Sequence, residues 1–278
     1  MKILILGNGY LGTRAKETWG DEAILSSIMI GSADDVRRLI DEHRPDAVFN
    51  AAGITGKPNV DWCETHQMET IIGNTVLPIM IAEACQKKGV YLLHMGTGCI
   101  YYGYSAAPEG WKEDDHANPL AVYTRTKYAA DLALSTLPNV GIARIRMPID
   151  SQSSPANLID KLASYSRVVD VINSVTVVDD MVYVFKQLLE KQASGIFHVT
   201  NPGAIKHKEI LEMYKEIVDP NHSNEWISAQ ELVVSGLAKK TRSNNILQSG
   251  NLEKLGIKMR PVKEAVRDIL KKYAELKK

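Results

Sequence analysis

Short apolar runs of strand length alternate along the chain with segments of helix length. Most of these runs are apolar throughout, which is typical of strands buried on both faces of a parallel sheet. They cover residues 2–6, 23–27, 46–50, 90–95, 141–146 and 195–200. Helices are predicted from residue 13, over 34–43, over 74–88 and around 122–130. The alternation predicts an α/β fold built on a doubly wound parallel sheet, the Rossmann arrangement.

The first apolar run leads directly into a glycine-rich turn, Gly7-Asn8-Gly9-Tyr10-Leu11-Gly12. Glycines at these three places allow a tight turn, close approach of the backbone to a pyrophosphate, and close packing of the following helix. The turn therefore predicts that Gly7, Gly9, Tyr10, Leu11 and Gly12 bind a dinucleotide. A purely structural glycine turn is the alternative.

The end of the second predicted strand bears on the choice of cofactor. NAD-binding proteins of this fold usually carry an acidic residue there, about 20 residues beyond the glycine turn, which holds the ribose 2'-hydroxyl. Here the strand ends in Ser26-Ser27. Without a carboxylate no charge repels a 2'-phosphate, so NADPH is favoured; no arginine stands at this tip either, and NADH stays open as an alternative.

Beyond Met147-Pro148 the alternation loosens and the composition becomes more polar. We therefore expect residues 1–146 to form a dinucleotide-binding domain, to which a segment near 175–200 returns. Residues 147–278 are expected to form a smaller, interleaved substrate lobe.

Charge and cysteine content exclude several classes of protein. Lys plus Arg and Asp plus Glu each total 33, so no net basic field attracts nucleic acid or an anionic membrane. The three cysteines are scattered without metal-ligand spacing, which predicts a reducing compartment and no metal site. We find no charged leader with a cleavage site, and apolar stretches fall short of the about 18 residues of a membrane span. A cytoplasmic protein is expected.

Tyr123 and Lys127 lie four residues apart, so they share one face of the predicted helix. A nearby ammonium stabilises a phenolate and lowers the tyrosine pKa from about 10, which favours proton transfer with a carbonyl oxygen. The spacing alone is common on helix surfaces. Its position after a dinucleotide motif favours a catalytic pair.

The run Gly96-Thr97-Gly98-Cys99 follows the fourth predicted strand. If the backbone stays extended, Thr97 and Cys99 project to the same side and line one pocket at the carboxyl end of the sheet. For Thr97 a functional role is favoured. Cys99 taken alone reads more readily as a small buried apolar residue, and His94, within the strand, as a packed core histidine.

Together these motifs resemble the extended short-chain dehydrogenase/reductases, and among them the dTDP-4-dehydrorhamnose reductase group. A more specific stretch is Asn50-Ala51-Ala52-Gly53-Ile54-Thr55-Gly56-Lys57-Pro58-Asn59-Val60-Asp61-Trp62-Cys63-Glu64. With residues 97–100, 144–148 and 242–245 it resembles the nucleotide-rhamnose synthases, bifunctional epimerase/reductases of plants and large viruses. The resemblance covers nearly the whole chain.

This resemblance implies an activity. Such enzymes convert UDP-4-keto-6-deoxy-D-glucose, or its dTDP form, into the L-rhamnose nucleotide by epimerising C3 and C5 and reducing C4 with NADPH. The C4 ketone serves all steps, because it accepts the charge when a proton leaves C3 or C5. By resemblance Thr97 and Tyr123 hold O4, Tyr123 donates a proton to it, and Lys127 tunes Tyr123 and binds the nicotinamide ribose.

Epimerisation needs a base on one face of the sugar and an acid on the other. The resemblance makes Cys99 the base and Lys161 the acid, although Lys161 taken alone reads as a solvated helix residue. A thiol of pKa about 8.5 is mostly protonated at neutral pH, so a nearby ammonium or similar donor is expected to activate it.

Other positions carry over from the resemblance. The cofactor site gains Asn50, Ala51, Ala52, Gly53 and Met147, and the substrate site gains Asn74 and Arg242 beside Thr97 and Cys99. Each of three has a structural alternative: a helix cap for Asn74, a strand end for Met147, a surface charge for Arg242. A separate 4,6-dehydratase is expected to supply the substrate, and a homodimer is possible.

Two other functions stay open at this point. One alternative is a 4-ketosugar reductase without epimerase activity, in which Cys99 and Lys161 take no part in the reaction. The chain could also be a regulatory subunit that binds a dinucleotide without chemistry. The presence of Thr97, Tyr123 and Lys127 together argues against the regulatory function.

Overall fold

The computed structural model describes residues 1–57 and 59–277. The chain forms two compact units. The first comprises Met1–Ile100, Pro119–Arg144 and Val182–Phe197, and the second comprises Tyr101–Asn118, Ile145–Met181 and the chain from His198 onward. The excursion Tyr101–Asn118 falls within the range that the sequence analysis gave to the dinucleotide-binding domain.

Twelve strands lie within the described residues. They are β1 Ile3–Leu6, β2 Ala23–Ser26, β3 Ala47–Asn50, β4 Tyr91–Thr97, β5 Val140–Ile145, β6 Pro148–Ile149, β7 Arg167–Val169, β8 Ile172–Asn173, β9 Thr176–Val177, β10 Gly195–His198, β11 Ile205–Lys206 and β12 Glu225–Ile227. Six form the central sheet, in the order β10-β5-β4-β3-β1-β2. Parallel pairing joins β1 to β2 and β3, and β3 to β4. The α/β class with a parallel central sheet is confirmed.

Helices fill the connections between these strands. They are α1 Tyr10–Trp19, α2 Ala33–His43, α3 Gln67–Ile71, α4 Leu77–Lys88, α5 Val122–Leu134, α6 Leu158–Ser164, α7 Val178–Lys191, α8 His207–Ile217, α9 Ala229–Val234, α10 Gly250–Lys254 and α11 Val262–Leu276. The start of α2 is fixed locally, because Ser32 and Asp35 form a reciprocal capping box there.

Two helix starts differ from the prediction. Helix α1 begins at Tyr10 rather than at residue 13, because Gly9 is already its N-cap. The helix expected from Asn74 begins at Gln67, and α3 runs into α4 through a π-helical turn, Ile72–Val76. Pro78 follows this wider turn, which tolerates a residue that has no N–H and would crowd a regular helix.

Both faces of the central sheet are covered, as parallel sheets require. On one face Leu4, Leu6 and Val48 pack with apolar side chains of α2 and α4. On the other, the Phe49 ring contacts Trp19 and Phe185 edge-on, at centroid distances of 5.6 and 5.3 Å. The second unit has its own core, to which α6, α8 and α11 contribute Leu158, Ile210 and Ile269 among others.

The continuous helix Gln67–Lys88 is long and apolar enough to cross a membrane by length and composition alone. Its buried residues include Ile81, Ala84 and Cys85, which belong to the core cluster beside the sheet. Core packing accounts for these residues, whereas Met68, Ile72, Val76 and Ile79 of the same helix are exposed.

The strand order reverses beside β1, because β2 lies on one side of it and β3 on the other. Ligands of open α/β sheets bind outside the carboxyl ends of the strands at such a switch point. The chain leaves β1 at Gly7 and β3 at Ala51, so the glycine turn and the segment Ala51–Gly53 share this edge.

Candidate active site

The glycine turn is shaped by its backbone. Gly7 has φ +104°, a conformation that L side chains rarely adopt, and a Cβ there would lie 2.5 Å from the Ala52 nitrogen. A Cβ at Gly12 would lie 2.0 Å from the Gly7 carbonyl oxygen. Both glycines therefore permit the close packing of helix α1 on the two strands.

Gly9 differs from its neighbours, because a Cβ there would have no atom within 4 Å. Gly9 caps helix α1 without a side-chain hydrogen bond, and Tyr10 and Leu11 form the first turn. The N–H groups and dipole of a helix N-terminus attract phosphate. The open space at Gly9 and this helix start fit the pyrophosphate of a dinucleotide.

The segment after β3 is held by side-chain amides. Oδ1 of Asn50 accepts from the Ala52 N–H at 3.0 Å, and the Ala51 N–H donates to the Leu6 carbonyl at 2.8 Å. Asn74 accepts from the Ile54 N–H at 2.8 Å and donates to the Ile54 carbonyl at 2.9 Å. A Cβ at Gly53 would lie 3.2 Å from Oδ1 of Asn74. The alternative of a cap for Asn74 is wrong, because Asn74 lies inside the π-helical turn.

The specific stretch 50–64 also reaches the helix that carries Tyr123. Asn59 caps the 3-10 turn Val60–Glu64 by accepting from the Asp61 N–H. Oε1 of Glu64 accepts from the Val122 N–H at 2.8 Å, at the first residue of α5. A carboxylate at a helix N-terminus is stabilising, so Glu64 helps to fix the start of α5. Pro58 of this stretch lies outside the described residues.

Thr97, Cys99 and Tyr123 come together at the end of β4. The Thr97 side chain is hydrogen-bonded to the Tyr123 phenol, and the charge of a Cys99 thiolate would act on that phenol. Oγ1 of Thr97 accepts from the Cys99 N–H at 3.2 Å. Cys99 is half-buried, whereas Cys63 and Cys85 are buried. The structure thus joins three predicted side chains in one place.

The extended backbone predicted as far as Cys99 is wrong. Strand β4 ends at Thr97, and a 3-10 turn, Gly98–Ile100, follows it. The turn, rather than strand alternation, carries Cys99 towards Tyr123.

Lys127 follows Tyr123 by one turn of α5 and is buried. Its Nζ donates to the Met95 carbonyl at 2.7 Å and lies 3.3 Å from Nε2 of His94. Burial lowers the pKa of Lys127 to about 8, and the charge of Asp131 opposes this shift. Asp131 itself forms a buried ion pair with Arg144, with Oδ2 2.8 Å from Nε.

Burial raises the pKa of the Tyr123 phenol well above its ordinary value, and a charge on Cys99 raises it further. The lowering of this pKa by Lys127, predicted from the sequence, is wrong. Loss of hydration has the largest influence on the phenol, which is held protonated and suits the role of proton donor.

The remaining predicted site residues belong to the second unit. Lys161 lies on α6 and is partly exposed. Met147 stands between β5 and β6 with φ 43°, a left-handed conformation that is rare for a residue with a side chain. Arg242 is partly exposed and precedes the buried Ser243. The roles of these three residues stay predictions.

Sequence reasoning missed the groups beneath Lys127. His94, read as a core histidine, contacts both Asn50 and Lys127. Asp131 stands four residues beyond Lys127, so the spacing of Tyr123, Lys127 and Asp131 was a signal for one helix face. Within residues 1–57 and 59–277 no three His, Cys, Asp or Glu side chains are grouped to hold a metal ion.

A doubly wound sheet with a glycine turn at its switch point and a Thr, Tyr and Lys group beside it defines a dinucleotide-dependent oxidoreductase. Residues 1–275 match the RmlD substrate binding domain family, and the chain belongs to that family. The family resemblance stated from the sequence is confirmed.

Several relatives of known name are similar to this chain. A bifunctional dTDP-4-dehydrorhamnose 3,5-epimerase/reductase of Arabidopsis thaliana is 38% identical over 233 residues, which are 82% of this chain and 77% of that protein. A trifunctional UDP-glucose 4,6-dehydratase/epimerase/reductase of the same plant is 36% identical over 96% of this chain, which spans 41% of its length.

Two solved structures are also similar. The L780 UDP-rhamnose synthase of Acanthamoeba polyphaga mimivirus is 31% identical with a TM-score of 0.90, covering 98% of this chain and 99% of that one. The Bacillus anthracis dTDP-4-dehydrorhamnose reductase, solved in complex with NADP, has a TM-score of 0.81 over 97% of this chain and 98% of that one. At 22% identity, the second likeness shows the fold alone.

Proposed function

We propose that the chain is a bifunctional 3,5-epimerase/4-reductase, which converts UDP- or dTDP-4-keto-6-deoxy-D-glucose into the L-rhamnose nucleotide with NADPH. The observation that carries the proposal is the meeting of Thr97 and Cys99 with Tyr123, on the helix that also carries Lys127. The relatives whose names include both epimerase and reductase activities support it.

One ketone can serve both halves of the reaction. Loss of a proton from C3 or C5 places negative charge on O4, and so does hydride addition at C4. Oγ1 of Thr97 accepts from the Cys99 N–H and is hydrogen-bonded to the Tyr123 phenol, so the two hydroxyls form one pair that can donate to O4 when the ketone binds. The protonated phenol of Tyr123 is the second donor and supplies the proton that O4 keeps after reduction.

The dinucleotide supplies the hydride when it is bound. Gly9 and the start of α1 would hold its pyrophosphate, and Lys127 would contact the nicotinamide ribose. Ser26 at the end of β2 is buried and accepts from the Ile28 N–H. The strand ends in a hydroxyl and not in a carboxylate, so no negative charge there repels a 2'-phosphate. This chemistry supports NADPH, with NADH as the comparison in the assay.

Cys99 is the proposed base of the epimerase half, because it is the half-buried thiol beside Tyr123. Lys161 is proposed as the acid on the family resemblance alone. A base that removes the proton and an acid that returns one to the opposite face invert a carbon without any redox change.

Product analysis tests the whole proposal. The purified protein is incubated with each 4-keto-6-deoxyglucose nucleotide and NADPH, then separately with NADH, and the product sugar is identified by NMR. We expect the L-rhamnose nucleotide. Reduction without inversion would indicate a simple reductase, and no turnover of either nucleotide would indicate a binding protein; both results would overturn the proposal.

Solvent exchange tests the epimerase half alone. Without cofactor, and in deuterated water, we expect deuterium at C3 and C5. Cys99→Ala should slow this exchange at least about 100-fold, as loss of an acid–base group does, while reduction of an already epimerised ketosugar continues. Cys85→Ala is the matched control, because Cys85 lies in the core beside the sheet. Unchanged exchange in Cys99→Ala would remove the thiol from the mechanism.

Lys161→Gln should slow the same exchange, whereas Lys215→Gln, at an exposed position of α8, should not. Equal exchange rates in these two variants would contradict a role for Lys161.

We also propose that a 4,6-dehydratase activity outside residues 1–278 supplies the substrate, since the trifunctional relatives name that activity together with the other two. Formation of rhamnose nucleotide from UDP-glucose by this chain alone would contradict it.

A further inference from the structure

A chain of hydrogen bonds leads from the cofactor loop to Lys127 by way of two buried side chains, Asn50 and His94. Both have no exposed surface. The Ala52 N–H can only donate, so the Asn50 atom 3.0 Å from it is the amide oxygen. The other amide atom, Nδ2, therefore faces Nδ1 of His94 at 3.0 Å.

This amide orientation fixes the tautomer of His94. Nδ2 of Asn50 carries two hydrogens and no acceptor site, so Nδ1 of His94 must present a lone pair. A neutral imidazole without a proton on Nδ1 carries it on Nε2. Burial and the charge of Lys127 both lower the pKa of His94, which keeps the ring neutral.

The Nε2–H of His94 then points at Nζ of Lys127, 3.3 Å away. An ammonium has three donors and no acceptor, whereas an amine has a lone pair. Nζ also donates to the Met95 carbonyl at 2.7 Å, which either form of lysine can do. Every bond from Ala52 to Lys127 thus runs in one direction, and the last one is satisfied by the amine.

We propose that Asn50 and His94 are positioning residues that act on the reaction through Lys127, by holding its Nζ in place and favouring the amine form over the ammonium. Charging Lys127 then requires His94 to move its proton to Nδ1, which opposes the Asn50 amide. The two side chains make proton uptake by Lys127 unfavourable in the cofactor-free protein. They also stabilise the amine that is left once Lys127 has lost a proton.

Other titratable groups around Lys127 act differently. Asp131 on α5, which is paired with Arg144 on β5, acts on Lys127, whereas Cys99 on the turn after β4 acts on Tyr123. Asp131 favours the ammonium, so His94 and Asp131 act in opposite directions on the same proton.

The tautomer is measured directly by NMR of protein labelled with nitrogen-15 in its seven histidines. The His94 signals are assigned as those lost in His94→Gln. We expect a protonated Nε2 and an unprotonated Nδ1 in the cofactor-free protein. In Asn50→Asp the new carboxylate accepts from both neighbours, so the proton should move to Nδ1. A proton on Nδ1 in the unmutated protein would overturn the proposal.

The pH profile is the second readout, and this part rests on the proposed function. If the ammonium of Lys127 is needed, reduction falls as the pH rises through its pKa. His94→Gln can turn its amide oxygen to Nζ and favour the ammonium, so the alkaline limb of kcat/KM should move up by about one pH unit, a tenfold change in the protonation equilibrium. The surface variant His43→Gln should leave the limb in place.

An alkaline limb at the same pH in His94→Gln and in the unmutated enzyme would contradict a role through Lys127. The tautomer measurement needs neither substrate nor turnover. A failure of the proposed function would therefore leave it intact, and the two failures can be told apart.

Discussion

The side-chain amide of Asn74 holds both backbone polar groups of Ile54, accepting from its N–H at 2.8 Å and donating to its carbonyl at 2.9 Å. A helix residue thereby completes the hydrogen bonding of the loop that follows β3. Asn74 is buried, so water cannot easily replace it.

Replacing this amide should cost stability. Asn74→Ala leaves the part-buried N–H and carbonyl of Ile54 unpaired, and we expect a loss of about 2 kcal/mol in the free energy of unfolding, measured by urea denaturation. Asn74→Asp restores only the acceptor and should recover part of the loss. Gln86→Ala, at an exposed position of α4, should stay within about 0.5 kcal/mol of the unmutated protein. Equal losses of unfolding free energy in Asn74→Ala and Gln86→Ala would show that the Asn74 amide does not stabilise the loop.

The glycine turn offers a matched pair of variants. Gly12→Ala places a methyl group 2.0 Å from the Gly7 carbonyl oxygen, so it should destabilise the fold by more than about 2 kcal/mol. Gly9→Ala meets no atom within 4 Å and should stay within about 1 kcal/mol. Its methyl group would instead occupy the space proposed for the pyrophosphate. Calorimetric titration with NADPH should show at least about a tenfold loss of affinity in Gly9→Ala; unchanged affinity would place the dinucleotide elsewhere.

Tyr123 should resist ionisation. Because burial raises its pKa, the protonated phenol is favoured, and its proton should leave only at a pH above that of an ordinary tyrosine. An alkaline titration followed by tyrosinate absorbance, compared between the unmutated protein and Tyr123→Phe, isolates this group. The difference should be absent through pH 9 to 10, the range below the ordinary tyrosine pKa of about 10. A difference that appears near neutral pH would mean that the phenolate is stabilised instead.

The buried pair Asp131 and Arg144 is expected to matter most when only one partner is removed. Asp131→Leu leaves the buried guanidinium of Arg144 without its partner and should lower the free energy of unfolding by about 3–5 kcal/mol. The double variant Asp131→Leu/Arg144→Leu should recover much of that loss, because neither charge is then left alone. Lys87→Ala breaks the exposed pair with Glu83 and should change stability by at most about 1 kcal/mol. A double variant as unstable as the single one would argue against a charge effect.

The strands were the most predictable part of the fold. Strands β1, β3 and β5 are buried at every position, so their composition alone reveals them, and the run 2–6 contains β1 as the structure has it. Helix starts were harder. Gly9 gives no side-chain signal as a cap, and Pro78 suggested a first turn where the structure has a π-helical turn inside a longer helix.

The candidate site was predictable where residues that are close in the sequence are also close in space. Tyr123 and Lys127 share a helix face in the structure as in the sequence. His94 and Asn50 stand on different strands, and only the register of β3 and β4, which pairs the two residues, reveals their contact. A tautomer that is set by the amide of a residue on the neighbouring strand leaves no pattern in a single sequence.

The π-helical turn between α3 and α4 also imposes a constraint of length. It holds one more residue than a regular turn, so everything after it is rotated by about 100° relative to an unbroken helix. Deleting one residue from Ile72–Val76 would swing Ile81 and Cys85 away from the sheet while Met68 kept its place. The residue count of this segment is therefore as important to the fold as the Asn74 side chain within it, because the count decides which face of α4 meets the sheet.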